Sequence, residues 1–104
     1  MMTESEFNKL AGATFARIEH AIDASGADIE CNLSGPVLEL EFANGSKAII
    51  NRHALNQEIW LAAKTGGFHY GYQEGNWISH RDDSELFSTL SELIKNEAGE
   101  TLVF

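Results

Sequence analysis

Hydrophobic periodicity changes twice along this chain, and the order of the changes dictates its layers. Phe7, Leu10, Ala11, Thr14, Phe15, Ile18 and Ile22 recur at helical spacing and form one apolar stripe. From residue 28 the period is two. Ile29, Cys31 and Leu33 alternate with Asp28, Glu30 and Asn32, then Leu38, Leu40 and Phe42 alternate with Val37, Glu39 and Glu41. That alternation marks antiparallel strands with one wet face. Leu86, Phe87, Leu90, Leu93 and Ile94 restore the helical period. Two amphipathic helices bracketing a strand run bury their apolar sides together only as an α+β, two-layer α/β sandwich, with both helices on one face of a five- or six-stranded antiparallel sheet.

Local signals place the boundaries. Thr3-Glu4-Ser5-Glu6 matches a capping box, so the first helix is expected from about Glu4 to Ala24, with Ser25-Gly26 ending it. Asn44-Gly45, Thr65-Gly66-Gly67 and Gln73-Glu74-Gly75-Asn76 read as turns, and Arg52 to Gln57 as a polar connection. Asp82 and Glu85 form a second candidate capping pair, Gly99 closes the second helix, and Thr101 to Phe104 is an apolar tail suited to the groove between the helices. Phe68, Tyr70, Tyr72 and Trp77 read as core or sheet packing. With 104 residues and no repeat or linker, residues 1–104 are one domain.

Charge narrows the partners. The net charge of −9 disfavours nucleic acid and anionic lipid and favours cations or basic protein surfaces. It is unevenly placed: −6 over residues 1–41, +2 over 42–81 and −5 over 82–104. No window approaches a membrane span, and MMTESEFNKL lacks a basic and then apolar leader, which together predict a cytoplasmic protein without membrane association. The single Cys31 alternates inward with Ile29 and Leu33 and reads as a buried, inert thiol. His53, His69 and His80 lack zinc-ligand spacing and read as surface residues.

Two features carry chemistry. Glu19 and Asp23 lie four apart near the C-terminal end of the first helix, where like-charge repulsion and the helix dipole both oppose them. Asp28 and Glu30 follow on the outward face of the first strand, making a ridge of hard oxygen ligands suited to weak, poorly selective binding of cations such as Fe(II), Mn(II) or Mg(II). A solvated acidic face is the alternative. Glu4 and Glu6 form a separate pair at the helix start. The second feature is Trp60, which shares a strand face with Glu58 rather than with Ile59 and Leu61, so that it faces water as a candidate partner anchor or packs over neighbouring side chains.

Asn44-Gly45-Ser46-Lys47, Ile50-Asn51-Arg52, Ile59-Trp60-Leu61-Ala62, Gly66-Gly67 and Ala98-Gly99-Glu100-Thr101, in this order and over nearly the whole chain, resemble the frataxin family in its short bacterial branch. The resemblance implies a two-layer sandwich and a non-enzymatic accessory role in iron-sulfur cluster assembly. It implies an acidic ridge for iron and for a basic surface of cysteine desulfurase, carried here by Glu19, Asp23, Asp28 and Glu30, with Glu4 and Glu6 at the far end. His20 stands where that branch tends to have another acid, and Ala24 and Ser25 thin the cluster; His20 is itself a candidate imidazole ligand. The resemblance also implies that Trp60, Asn51, Arg52 and Asn56 lie on the sheet surface that meets the assembly machinery, including the scaffold protein. The expected cargo is iron, Fe2+ or Fe3+, weakly bound and replaceable by other divalent or trivalent cations, on a chain monomeric without iron. A ferroxidase and a metal-free acidic adaptor are the competing functions. The ferroxidase lacks the paired Glu-x-x-His motifs of a dinuclear site.

Overall fold

The computed structural model describes residues 2–104. Helix α1 (Glu4–Ser25) is followed by six strands, β1 (Ile29–Ser34), β2 (Val37–Phe42), β3 (Lys47–His53), β4 (Glu58–Ala63), β5 (Gly66–Gln73) and β6 (Asn76–Ser79), then by helix α2 (Leu86–Ala98). The strands pair in sequence order as one antiparallel meander. The sandwich expected from the periodicity is the fold found, with six strands.

Capping chemistry sets the helix ends. Thr3 Oγ1 accepts from the Glu6 amide at 3.1 Å and Glu6 Oε1 accepts from the Thr3 amide at 2.9 Å, closing the capping box. These hydrogen bonds, from the Thr3 backbone first and its hydroxyl second, hold the Glu6 carboxyl below its ordinary range. The second cap differs from the expected Asp82–Glu85 pair. Glu85 is itself the N-cap, accepting from the Phe87 and Ser88 amides at 2.7 and 3.2 Å. Asp82 instead folds a local turn, accepting from the Ser84 amide and hydroxyl, because Asp readily bonds the backbone two residues on. Strand β3 also runs on to His53, so the connection to β4 is shorter than the polar composition suggested.

One face of the sheet is apolar and covered. Leu38, Leu40, Ala48, Ile50, Ile59, Leu61, Tyr70 and Trp77 pack against Phe7, Ala11, Phe15, Ile18 and Ile22 of α1 and Leu86, Leu90, Leu93 and Ile94 of α2. Phe7 meets Trp77 edge-on at 6.0 Å, and Trp77 donates its buried indole N–H to Thr14 Oγ1 at 2.8 Å, tying α1 to β6. The tail packs as expected: Leu102 is buried, Phe104 lies against Phe87 at 5.2 Å, and Arg17 stacks on Phe87 while donating to the Phe104 carbonyl. Strand β1 overruns the core, so Leu33, in phase with Ile29, is 54% exposed.

Candidate functional site: an acidic rim and an open sheet face

Among the described residues no three His, Cys, Asp or Glu side chains converge to hold an ion. The acids instead form a line. Glu19, His20 and Asp23, from the last turns of α1, share an open concavity of about 510 Å³ with Ile29 and Cys31 of β1. Asp28 is exposed in the approach to β1, and Glu30 is exposed on the sheet, opposite Glu41. Both ends of this rim belong to elements joined by the short Gly26–Asp28 connection, which brings the helix end and the strand start together. No basic residue occupies the last turn of α1. The only ion pairs among the described residues are Lys47–Glu39 at 3.5 Å and His80–Glu58 at 2.9 Å, so no rim acid is paired. Cys31 is partly buried as part of this wall; burial first, and the Glu19 charge second, push its thiol up to about 11.

Glu4 and Glu6 stand at the opposite end of the 22-residue helix, about 20 Å from Glu19 along its axis. Glu6 is already engaged in the capping box. These two carboxylates are therefore not part of the rim.

The uncovered sheet face is built by register. Asn51, Trp60 and His69 are directly paired across β3, β4 and β5, and His53, Glu58 and Gly71 form the next row. Trp60 is neither bare nor packed on Lys or Arg stems. Its ring is stacked between His53, with centroids 3.6 Å apart, and His69, at 4.0 Å and nearly parallel. The indole N–H donates to Glu58 Oε1 at 2.8 Å, and His80 reaches the other carboxylate oxygen. Asn51 meets His53 Nε2 at 3.1 Å. Beside the stack lies an apolar dimple of about 200 Å³, lined by Ile49, Asn51, Trp60, Ala62, Gly67 and His69.

Two residues expected on the sheet surface lie elsewhere. Arg52 faces the helices, its guanidinium 5.7 Å from the Phe15 ring and against Gly12, because it alternates with Asn51 and shares the inward phase of Ala48 and Ile50. Asn56 is exposed, but in the β3–β4 turn rather than on the sheet surface. The histidines are surface residues as expected, and they converge on Trp60 and Glu58. Their signal was present: His53 and His69 both fall in the outward phase of their strands. The turn is the two residues Lys64–Thr65, with Gly66 and Gly67 already in β5 and not in the turn as expected, and pairing about it sets the outward-facing His69 beside Trp60.

Two helices over one face of an antiparallel meander, with an unpaired acidic rim and an aromatic stack on the uncovered face, define a two-layer α/β sandwich. The chain belongs to the frataxin family: the Frataxin-like domain model matches residues 1–100. It is 48% identical over 103 residues to the iron-sulfur cluster assembly protein CyaY of Dechloromonas aromatica, covering 98% of each chain. Its fold superimposes on the frataxin of Psychromonas ingrahamii with a TM-score of 0.93 at 40% identity, covering 97% of this chain and 96% of that one. The trimeric frataxin of the yeast Saccharomyces cerevisiae complexed with ferrous iron shares the fold at a TM-score of 0.72 and 24% identity, over 96% of this chain and 89% of that one.

Proposed function

We propose that this chain is a non-enzymatic accessory protein of iron-sulfur cluster assembly that carries iron on its acidic rim and regulates the rate of assembly. Relatives of nearly equal length are named iron-sulfur cluster assembly proteins, and a yeast frataxin is known as a ferrous complex. The observation that carries the reading is the unpaired state of Glu19, Asp23, Asp28 and Glu30. Four carboxylates near one helix end, against the helix dipole and without a neighbouring cation, cost folding stability and attract positive charge. Iron is cargo here. Exposed, unfixed oxygen ligands favour weak exchange over storage.

The same rim docks on a basic region of cysteine desulfurase, and the Trp60 platform meets the scaffold protein. An aromatic anchor beside an apolar dimple has the anatomy of an interface centre. A metal-free adaptor is the second reading, favoured by the lack of a three-ligand cluster among the described residues. Anaerobic titration of the 15N-labelled chain with Fe(II) separates the two. Paramagnetic broadening confined to residues 19–30 supports iron carriage, and unchanged signals there return the adaptor.

A further inference from the structure

The three histidines around Trp60 are not ligands of any metal cluster among the described residues, yet His53 and His69 stack on that side chain and His80 reaches the carboxylate that holds its N–H. Both faces of the indole are covered by imidazoles, and its N–H is committed to Glu58. Only an edge of Trp60 is open to a partner. Glu58 is itself fixed, since one oxygen accepts from Trp60 and the other meets His80. His80 in turn occupies the space that a side chain at Gly71 would take. His53, His69 and His80 therefore close a cage over Trp60, two of them by stacking and one through Glu58.

Imidazole changes charge between about pH 5 and 8. Uptake of a proton turns each stacking contact into a cation resting on the electron-rich face of an indole, and turns the His80–Glu58 hydrogen bond into a full ion pair. Each change tightens the cage. The other charged and polar groups that face it do not reverse this: Asn51 lies 3.1 Å from His53 Nε2 with a buried Oδ1 that has no other partner, and turning its amide lets that oxygen accept from the protonated ring. Glu58 is the carboxylate beside His53 and His80; Glu6 and Tyr72 line the hollow next to His80; Arg81 lies beside His69 and His80, already stacked on Phe68 at 4.8 Å. Glu39 and Glu41 of β2 and Lys47, at the other end of β3 from His53, lie on the same face.

We propose that His53, His69 and His80, acting with Glu58, form a proton-dependent clamp that holds Trp60 edge-on and weakens its docking as the imidazoles take up protons. A partner that needs the flat face of the indole must displace one imidazole, and a neutral ring leaves more easily than a charged one. The three histidines are positioning residues for the Trp60 docking site, and the inference rests on the reading of Trp60 as an anchor.

The first arm of the test uses the free protein. The Trp60 indole N–H resonance is followed from pH 5 to 8, with the Trp77 indole, buried and bonded to Thr14, as the internal reference. The Trp60 signal moves with pH while that of Trp77 stays still, and the movement is lost in a His53→Gln, His69→Gln, His80→Gln variant. A Trp60 signal that is static, or that moves equally in the variant, overturns the clamp. The second arm measures affinity for a purified cysteine desulfurase–scaffold complex at pH 6.0 and 7.5, each value taken relative to the triple variant. The wild-type chain binds relatively more weakly at the lower pH, by about two- to fivefold; a constant ratio overturns the effect on docking. Trp60→Ala that binds as well as wild type at both pH values refutes the anchor, while the first arm still reads the clamp.

Discussion

The imidazole of His80 rests on the backbone of Gly71: a methyl group at residue 71 would stand 2.8 Å from His80 Cε1 and 2.9 Å from Nε2. Gly71 lacks a positive φ, so its lack of a side chain serves the close approach of the ring and not a special backbone conformation. Gly71→Ala should swing the half-exposed His80 ring away and break its contact with Glu58, with a stability change within about 1 kcal/mol because a strand accepts Ala and the ring moves freely. Urea unfolding checks the stability, and the Trp60 indole resonance checks the lost contact. A loss above about 2 kcal/mol would mean that His80 is structural to the sheet.

Thr14 links helix and sheet by a single hydroxyl, donating to the Leu10 carbonyl and accepting from Trp77. Thr14→Val keeps the shape and strands a buried indole N–H. The expected cost is about 1 to 3 kcal/mol in chemical unfolding, with little change in iron or partner binding because the site lies on other surfaces.

The rim acids should trade stability for binding. Asp23 lies in the last turn of α1 and four residues from Glu19, so Asp23→Asn removes both a dipole conflict and a like-charge pair. A gain of about 0.5 to 1 kcal/mol is expected. Fe(II) affinity measured on the same variant should fall. Stability that drops instead would show that Asp23 holds a structural contact.

Cys31 should be a poor nucleophile. With its thiol pushed up to about 11 by burial and then by Glu19, alkylation by iodoacetamide at pH 7.5 should run about tenfold slower than for a cysteine peptide. Glu19→Gln should accelerate it. Because the folded value lies above the unfolded 9.0, the stability this group contributes is complete below pH 9 and is lost as pH rises through about 11. The acid limb has the opposite sign. Glu6 and Asp82 are held below their ordinary ranges by hydrogen bonds from Thr3 and Ser84, so their contributions are present at neutral pH and lost as pH falls through their lowered values.

Periodicity carried most of the fold because one face of every element is buried: the α1 stripe, the β2 alternation and the α2 stripe each reappear in the core. Capping at Thr3–Glu6 was legible for the same reason, as it involves residues three apart. What escaped involves side chains brought together by strand pairing. The Trp60–His69 stack depends on register across a turn, and the His80–Glu58 contact spans two further strands, so neither has a local spacing. Arg52 was misplaced because family likeness marks a residue without its phase; strict alternation from Ile50 puts it on the helix side. The acidic rim was legible as composition near one helix end, whereas its freedom from paired cations depends on where the folded chain puts Lys and Arg.

Attraction of a basic partner surface by the unpaired acidic rim is measured most directly as the affinity for cysteine desulfurase as a function of salt, for wild type and for a Glu19→Lys, Asp23→Lys variant. Exposed charges are screened beyond about 8 Å at physiological ionic strength. Wild-type affinity should fall steeply as salt rises, and the variant should bind more weakly at low salt with a shallower dependence. Equal affinities with equal salt slopes would contradict the account.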